Sequence, residues 1–218
     1  MEVDKNDKKK VLVLGAHGQI AQLAEKEFME ETDDELKLFL RNAKRLTPSN
    51  PDRETVIDGD AANVDQLKDA MQGVDAVYAN LAGNNIADQA KAVVEAMDAT
   101  GVKRLVWIST LGIYDEVPGK FGEWNNSTLG SYLTRYRSAA DIIEASDLDY
   151  TVVRPAWLTN HDEIEYEFTQ KGEDFKGTEV SRKSIAHVVV DLIQNNTEIK
   201  HSIGVNKPNT DGDKPSWY

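Results

Sequence analysis

The stretch Lys10-Val-Leu-Val-Leu-Gly15-Ala-His17-Gly18-Gln-Ile20-Ala21 decides the fold. Four apolar residues in a row, Val11 to Leu14, suit a parallel strand covered on both faces. Gly15 ends the strand, and its lack of a side chain opens backbone conformations closed to other residues. Gly18 lets main-chain N–H groups come close to a ligand. A helix starting near Gln19 aims its unpaired N–H groups and the positive end of its dipole at the same spot, where a pyrophosphate fits. The spacing is G-x-x-G-x-x-A, a departure from the common G-x-G-x-x-G fingerprint. Taken alone, the segment also reads as an ordinary strand-to-helix turn.

Outward from this turn, apolar periodicity alternates between two kinds. Ile20, Leu23, Ala24 and Phe28 follow helical spacing, and further strands are predicted at 36–40, 55–57, 76–79, 104–109 and 150–154. Between them, helical repeats run through Val64, Leu67 and Met71, through Ile86, Ala90, Val93 and Met97, and over 132–146 and 184–194. Strands alternating with helices at this interval indicate βαβ units and a doubly wound parallel sheet. The fold class is therefore α/β, Rossmann-like, with a small substrate-side cap. Residues 1–9 read as a charged tail, 10–205 as the domain, and 206–218 as a polar, extended tail. Two segments break the alternation. Residues 112–128 read as a long loop rich in Gly, Pro, Asn and Trp, and 160–180 as an irregular insertion with two short strands. Both follow carboxyl ends of strands, where such sheets bind ligands.

A formal net charge of −13 argues against nucleic acid and anionic membrane as partners, since both need a cationic surface. The absence of cysteine removes disulfides and thiolate chemistry, and it fits a reducing compartment. The apolar run after the charged start is too short for a signal peptide or a membrane span. The expected location is the cytoplasm, as a monomer or homodimer acting on a small-molecule acceptor, without a metal.

Arg41 stands just past the second strand, where dinucleotide folds contact the adenosine ribose. An acid there would accept from both ribose hydroxyls, whereas an arginine matches a 2′-phosphate, with Lys44 and Arg45 nearby. The expected cofactor is NADP(H) in preference to NAD(H). Asp60 after the third strand is a candidate for the adenine amino group, and it equally reads as part of a turn before the helix from Asn63. Asn80, Leu81, Ala82 and Gly83, after the fourth strand, would pass beside the adenosine and inner ribose, and they equally read as an ordinary loop. His17 in the glycine loop reads either as a phosphate contact or as structural.

In order, GAHGQIA, the basic residue after the second strand, Gly59-Asp60, NLAG, VWIST and LDYTVVRPAWL resemble the atypical short-chain dehydrogenase/reductase superfamily, in its NmrA-like NAD(P)-binding branch. The resemblance spans residues 10–205. It implies that Gly15, Gly18, Gln19 and Ile20 cradle the pyrophosphate, that Arg41 takes the adenosine phosphate, and that Asp60, Leu81 and Ala82 border the adenine. It puts Ser109 and Thr110 near the nicotinamide, flanked by Pro155, Ala156 and Trp157. In the parent superfamily a Tyr-x-x-x-Lys pair does the acid–base chemistry. Here the tyrosine position falls on Tyr132 and the lysine position on Tyr136, or on Arg137 if the alignment shifts by one. An arginine is permanently charged and cannot relay a proton.

Ser109, Tyr114 and Tyr132 remain the candidate catalytic or acceptor-positioning residues, with Trp124 as a lid. The tyrosines also read as helix packing, and Trp107 and Trp157 as core. Three functions follow: an oxidoreductase passing hydride to a quinone, flavin or carbonyl; a non-catalytic NADP(H)-binding redox sensor; and a nucleotide-sugar epimerase or dehydratase. The last is weakened by the missing lysine.

Overall fold

The computed structural model describes residues 8–218. Residues 1–7, most of the segment read as a charged tail, lie outside the described residues. The first half of the chain alternates strands with helices except between its second and third strands, which a short turn joins: β1 (Lys10–Leu14), α1 (Gln19–Glu31), β2 (Glu35–Leu40), β3 (Glu54–Asp58), α2 (Val64–Ala70), β4 (Ala76–Ala79) and α3 (Ile86–Thr100). The second half holds β5 (Arg104–Ile108), α4 (Gly119–Leu129), α5 (Ser131–Glu144) and β6 (Asp149–Pro155). It ends with β7 (Trp157–Thr159), β8 (Glu167–Gln170), β9 (Glu179–Ser181), α6 (Arg182–Asn195) and β10 (His201–Asn206).

Eight strands form one sheet in the order β3-β2-β1-β4-β5-β6-β10-β8. All neighbours are parallel except β10 and β8. Strand order reverses between β1 and β4, and a sheet of this kind binds ligands in the crevice beyond the carboxyl ends at that reversal.

Alternate residues of each central strand serve opposite layers. Val11, Val13 and Val106 pack with Ile20, Ala24 and Phe28 of α1 and with Ile185 and Val189 of α6. Leu12, Leu14, Leu105 and Trp107 pack with Leu67 of α2, Val93 of α3 and Ala139 of α5. Burying each large side chain contributes about 1.5–3 kcal/mol, so a one-residue slip of register would exchange both layers at prohibitive cost.

The structure departs from the sequence reading, or adds to it, in four places. The segment 112–128 is not all loop, because α4 occupies its second half. Its glycines misled: a Cβ on Gly122 would collide with the Val117 carbonyl, so Gly122 marks close packing inside a helix. Strand β10 escaped detection because its buried apolar side chains, Ile203 and Val205, are too few to show a period. The 160–180 insertion does hold two short strands, but β8 joins the main sheet on β10 while β9 pairs with β7 in a separate ladder. The 206–218 tail is not extended. It folds back through turns, with Thr178 Oγ1 donating to the Thr210 carbonyl and both Glu179 carboxylate oxygens accepting from Ser216.

Candidate functional site

The glycine turn is built around Asn80, the first residue past β4. Gly15 has φ +76, and a Cβ there would strike the Asn80 carbonyl; a Cβ on Gly18 would strike the Asn80 side-chain amide. Gly15 N and Ala16 N both donate to the Phe39 carbonyl (3.0 and 3.2 Å), which ties the turn to β2. Gln22 Nε2 donates to the His17 carbonyl at 2.7 Å and closes the loop against α1. Helix α1 then starts at Gln19 with no side-chain cap and no acid in its first turn. Helices α2 and α6 carry side-chain caps from Asn63 and Ser181. Helices α3, α4 and α5 also start without a side-chain cap, so it is the position of α1 behind the glycine turn, at the reversal of strand order, that suits its first-turn amides to an anion.

A cavity of about 320 Å³ opens beside this turn, lined by Gly15, His17, Gly18, Arg41, Arg45, Asp60, Asn80, Leu81 and Ala82 among others. The sequence thus brought seven of its candidates together here: Gly15, His17, Gly18, Arg41, Asp60, Leu81 and Ala82. Arg41 is exposed at the rim. Past it, Asn42 takes a left-handed conformation (φ 59) and starts a short turn, Ala43–Arg45. Arg45 donates through Nη2 to the Arg41 carbonyl (2.8 Å) and through Nε to the Asn42 carbonyl (3.3 Å), which ties a second guanidinium to the backbone of the same rim. Asp60 Oδ1 accepts from Ala62 N at 2.8 Å, so its local role is a turn; the side chain that caps α2 is Asn63. Gln19 is exposed and the Ile20 side chain is buried in the core, so Ile20 offers only its main chain.

Gly59 of the Gly59-Asp60 pair lines the cavity too, as do Phe39, Ala61, Asn85 and Gln89, which were missed by sequence reasoning. Gln89 Nε2 donates to the Ala82 carbonyl and to Asn85 Oδ1, both at 2.8 Å, fixing the segment past β4. Their i,i+4 spacing at the start of α3 was the available signal. The Phe39 ring tip lies where a Gly59 Cβ would sit, which explains that glycine.

Ser109 and Pro155 lie on the other side of the reversal. Neighbouring strands stand about 4.8 Å apart, so the carboxyl end of β5 is roughly 10 Å from β1 and that of β6 roughly 14 Å. A dinucleotide lying on the glycine turn with its adenosine in the cavity therefore directs its other half over β4, β5 and β6. Ser109 N donates to the Val153 carbonyl (2.7 Å) and Ala156 N to the Val205 carbonyl (2.9 Å). The Ser109 hydroxyl is buried with no partner in the protein. Trp157 Nε1 donates to Asn125 Oδ1 of α4 at 2.8 Å.

The three candidate catalytic residues come from different segments: Ser109 just past β5, Tyr114 in the loop that follows, and Tyr132 on α5. Tyr132, in the first turn of α5, stacks on Tyr136 with ring centroids 4.0 Å apart. Burial raises its hydroxyl pKa, opposed by the Tyr136 hydrogen bond and the Arg135 charge. Arg137 does not serve it: Nε pairs with Asp141 at 2.7 Å, and the guanidinium lies 5.1 Å above the Tyr114 ring.

Tyr114 is held in a polar network of its own. Its hydroxyl donates to the Glu144 carboxylate (3.1 Å) and accepts from the Ser202 hydroxyl (2.8 Å), and burial holds its pKa well above the usual phenol range. Arg154 and Lys171 also face its ring, at 5.0 and 4.6 Å. It belongs to a polar network around the fully buried Arg154, which pairs with Glu116. That network ties the loop after β5 to β6 and β10.

Among the described residues, no group of three or more His, Asp or Glu side chains gathers to hold a metal ion. No helix among them is long and apolar enough to cross a membrane.

A parallel sheet with a reversal of strand order, a glycine turn over Asn80 and an uncapped helix start define a dinucleotide-binding α/β protein. The chain belongs to the NAD(P)H-binding family, whose profile matches residues 15–196. A Rossmann-fold NAD(P)-binding family protein from Shigella flexneri is 44% identical, with a TM-score of 0.82 over 95% of this chain and 98% of that one. A short-chain dehydrogenase/reductase from Veillonella parvula DSM 2008, solved in complex with NADP, is 30% identical, with a TM-score of 0.87 over 95% of this chain and 99% of that one. An uncharacterized sugar epimerase, YhfK, of Bacillus subtilis strain 168 is 26% identical over 201 residues, covering 87% of this chain and 90% of the relative.

Proposed function

We propose that the protein is an NADP(H)-dependent reductase that passes hydride to a small quinone, flavin or carbonyl acceptor. The observation that carries the reading is the pair of guanidiniums, Arg41 and Arg45, at the cavity rim just past β2. Guanidinium forks match phosphate oxygens, and the residue that directly follows β2 is a cation where NAD specificity calls for an acid.

A bound reduced nicotinamide supplies a hydride, two electrons with one hydrogen nucleus, and the reduced acceptor still needs a proton. The main-chain amides of the Gly18 turn and α1 hold the pyrophosphate. The Ser109 hydroxyl, without a partner in the protein, hydrogen-bonds at the reacting end. Tyr132 keeps its proton at neutral pH, because burial raises its pKa and Tyr136 stands where a lysine would lower it. Such a phenol donates a proton to a reduced carbonyl but is a poor base for the reverse oxidation. Solvent then replaces the proton.

A second reading, favoured by Tyr136 in the lysine position, is an NADP(H)-binding regulator without turnover. Epimerase chemistry, named for the Bacillus relative, wants the Tyr/Lys pair that this chain lacks.

The test is a thermal-shift comparison of NADPH, NADP+, NADH and NAD+, followed by turnover on a quinone, a flavin and an aldehyde. A ligand at 100 times its dissociation constant adds about 2.7 kcal/mol, so NADPH should raise the midpoint well beyond NADH. Arg41→Ala should erase the difference. An unchanged NADPH preference in that variant refutes the phosphate role. Tight binding with no turnover on any acceptor favours the regulator.

A further inference from the structure

Residues 207–218 return across β9 toward the carboxyl ends of the sheet and are clipped down on the way. Lys207 N donates to the Glu179 carbonyl at 2.8 Å, and Thr178 Oγ1 to the Thr210 carbonyl at 2.7 Å. The buried Glu179 carboxylate accepts from Ser216 N and Ser216 Oγ, each at 2.9 Å. These anchors deliver the Tyr218 ring against Trp124 of α4 (5.0 Å between centroids) and Trp157 (5.7 Å), which themselves lie 4.9 Å apart.

We propose that Tyr218, carried by this strap, joins Trp124 and Trp157 as a stacking wall of the acceptor site, and that the acceptor is a planar π-system. The inference rests on the reductase reading above and names its substrate class.

Three observations carry it. Trp157 follows Pro155 and Ala156 at the end of β6, the place reached by the half of a dinucleotide that extends away from the adenosine cavity. Tyr218 is 57% exposed although it is gripped through its neighbours, so the strap holds a ring in place without burying it. A strap serving only stability gains most by burying its aromatic residues. Finally, Trp157 hydrogen-bonds Asn125, which is fully buried, and Asn125 Nδ2 has no partner in the protein. That amide lies where a Cβ on Gly112 would sit, in the loop past β5 that begins at Ser109. The wall therefore rests on a fully buried asparagine that fixes the Trp157 ring from behind and leaves ring faces as the surface offered to a ligand. An aliphatic carbonyl gains nothing from ring faces. Quinones and isoalloxazines do.

The experiment is calorimetric titration of menadione into protein saturated with NADP+, which binds without reacting. Wild type, Tyr218→Phe and Tyr218→Leu are compared; NADP+ is titrated first into each. The expected result is equal NADP+ affinity in all three, equal menadione affinity in wild type and Tyr218→Phe, and about fivefold weaker menadione binding in Tyr218→Leu, the size of a lost aromatic pair. Menadione binding as tight in Tyr218→Leu as in wild type, or none to NADP+-loaded wild type, overturns the inference and leaves the reductase reading intact. No NADP+ binding by the wild type sinks both.

Discussion

Replacing Glu25 by Gln should make the protein more stable at alkaline pH and leave it unchanged near pH 4.5. Glu25 lies on the inner face of α1 and is 6% exposed, with one carboxylate oxygen buried and unpartnered. The Tyr78 hydroxyl of β4, also buried without a partner, and the Glu54 carboxylate of β3 act on the same region. Burial first, and then the Glu54 charge, raise the Glu25 pKa from 4.5 to about 9. The folded value is above the unfolded one, so the folded state holds the proton more tightly. The associated stability is complete below pH 4.5 and drains away as pH rises toward 9. Each pH unit inside that window costs about 1.4 kcal/mol, so going from pH 5 to pH 7 removes about 2.7 kcal/mol. For a chain of this size that corresponds to a fall in Tm of roughly 8 °C. Glutamine has nearly the same shape and cannot ionise. Calorimetric melts of wild type and Glu25→Gln from pH 5 to pH 8.5 isolate the term, because other titrating groups cancel in the difference. The gap should widen steadily in favour of the variant. Parallel curves would show that the carboxyl finds a charged partner or water in solution, and the argument from burial would fail.

Gly15→Ala should abolish NADPH binding and lower stability, since a Cβ at φ +76 costs about 1–2 kcal/mol before its collision with the Asn80 carbonyl is counted; a thermal-shift assay with and without NADPH reads both effects. Glu116→Gln should cost about 3–5 kcal/mol by stranding the Arg154 charge inside the network, measured by urea unfolding, and a loss below 1 kcal/mol would mean that water reaches Arg154 (about the value of an exposed pair). Tyr132→Phe should slow turnover of an aldehyde about 100-fold while leaving that of a quinone nearly unchanged; equal rates on both acceptors would remove Tyr132 as proton donor.

The adenosine half of the site was legible because it rests on the local backbone. Val11 to Leu14, Gly15 and Gly18 each announce their conformation within a few residues, and Arg41 follows β2 directly in the chain. The acceptor half was harder because it is assembled from distant segments. Tyr114 looked like a site residue by position, yet its partners Glu144 and Ser202 are 30 and 88 residues away. Helix α4 contains glycines and asparagines that disfavour helix locally, and packing on Val117 overrides that preference. The fold-back of 207–218 depends on Thr178 and Glu179, which nothing in the tail's own sequence announces.

The position of β10 between β6 and β8 has a kinetic consequence. Six strands, β3-β2-β1-β4-β5-β6, can assemble once residue 155 has emerged from the ribosome, completing the cradle for the cofactor. Strand β8 has only β10 as its neighbour in the sheet, so it must wait about thirty more residues before it can pair. Nascent chains arrested on a C-terminal extension that brings residue 195 clear of the ribosome should already bind nucleotide while their 160–180 region is still cut by protease.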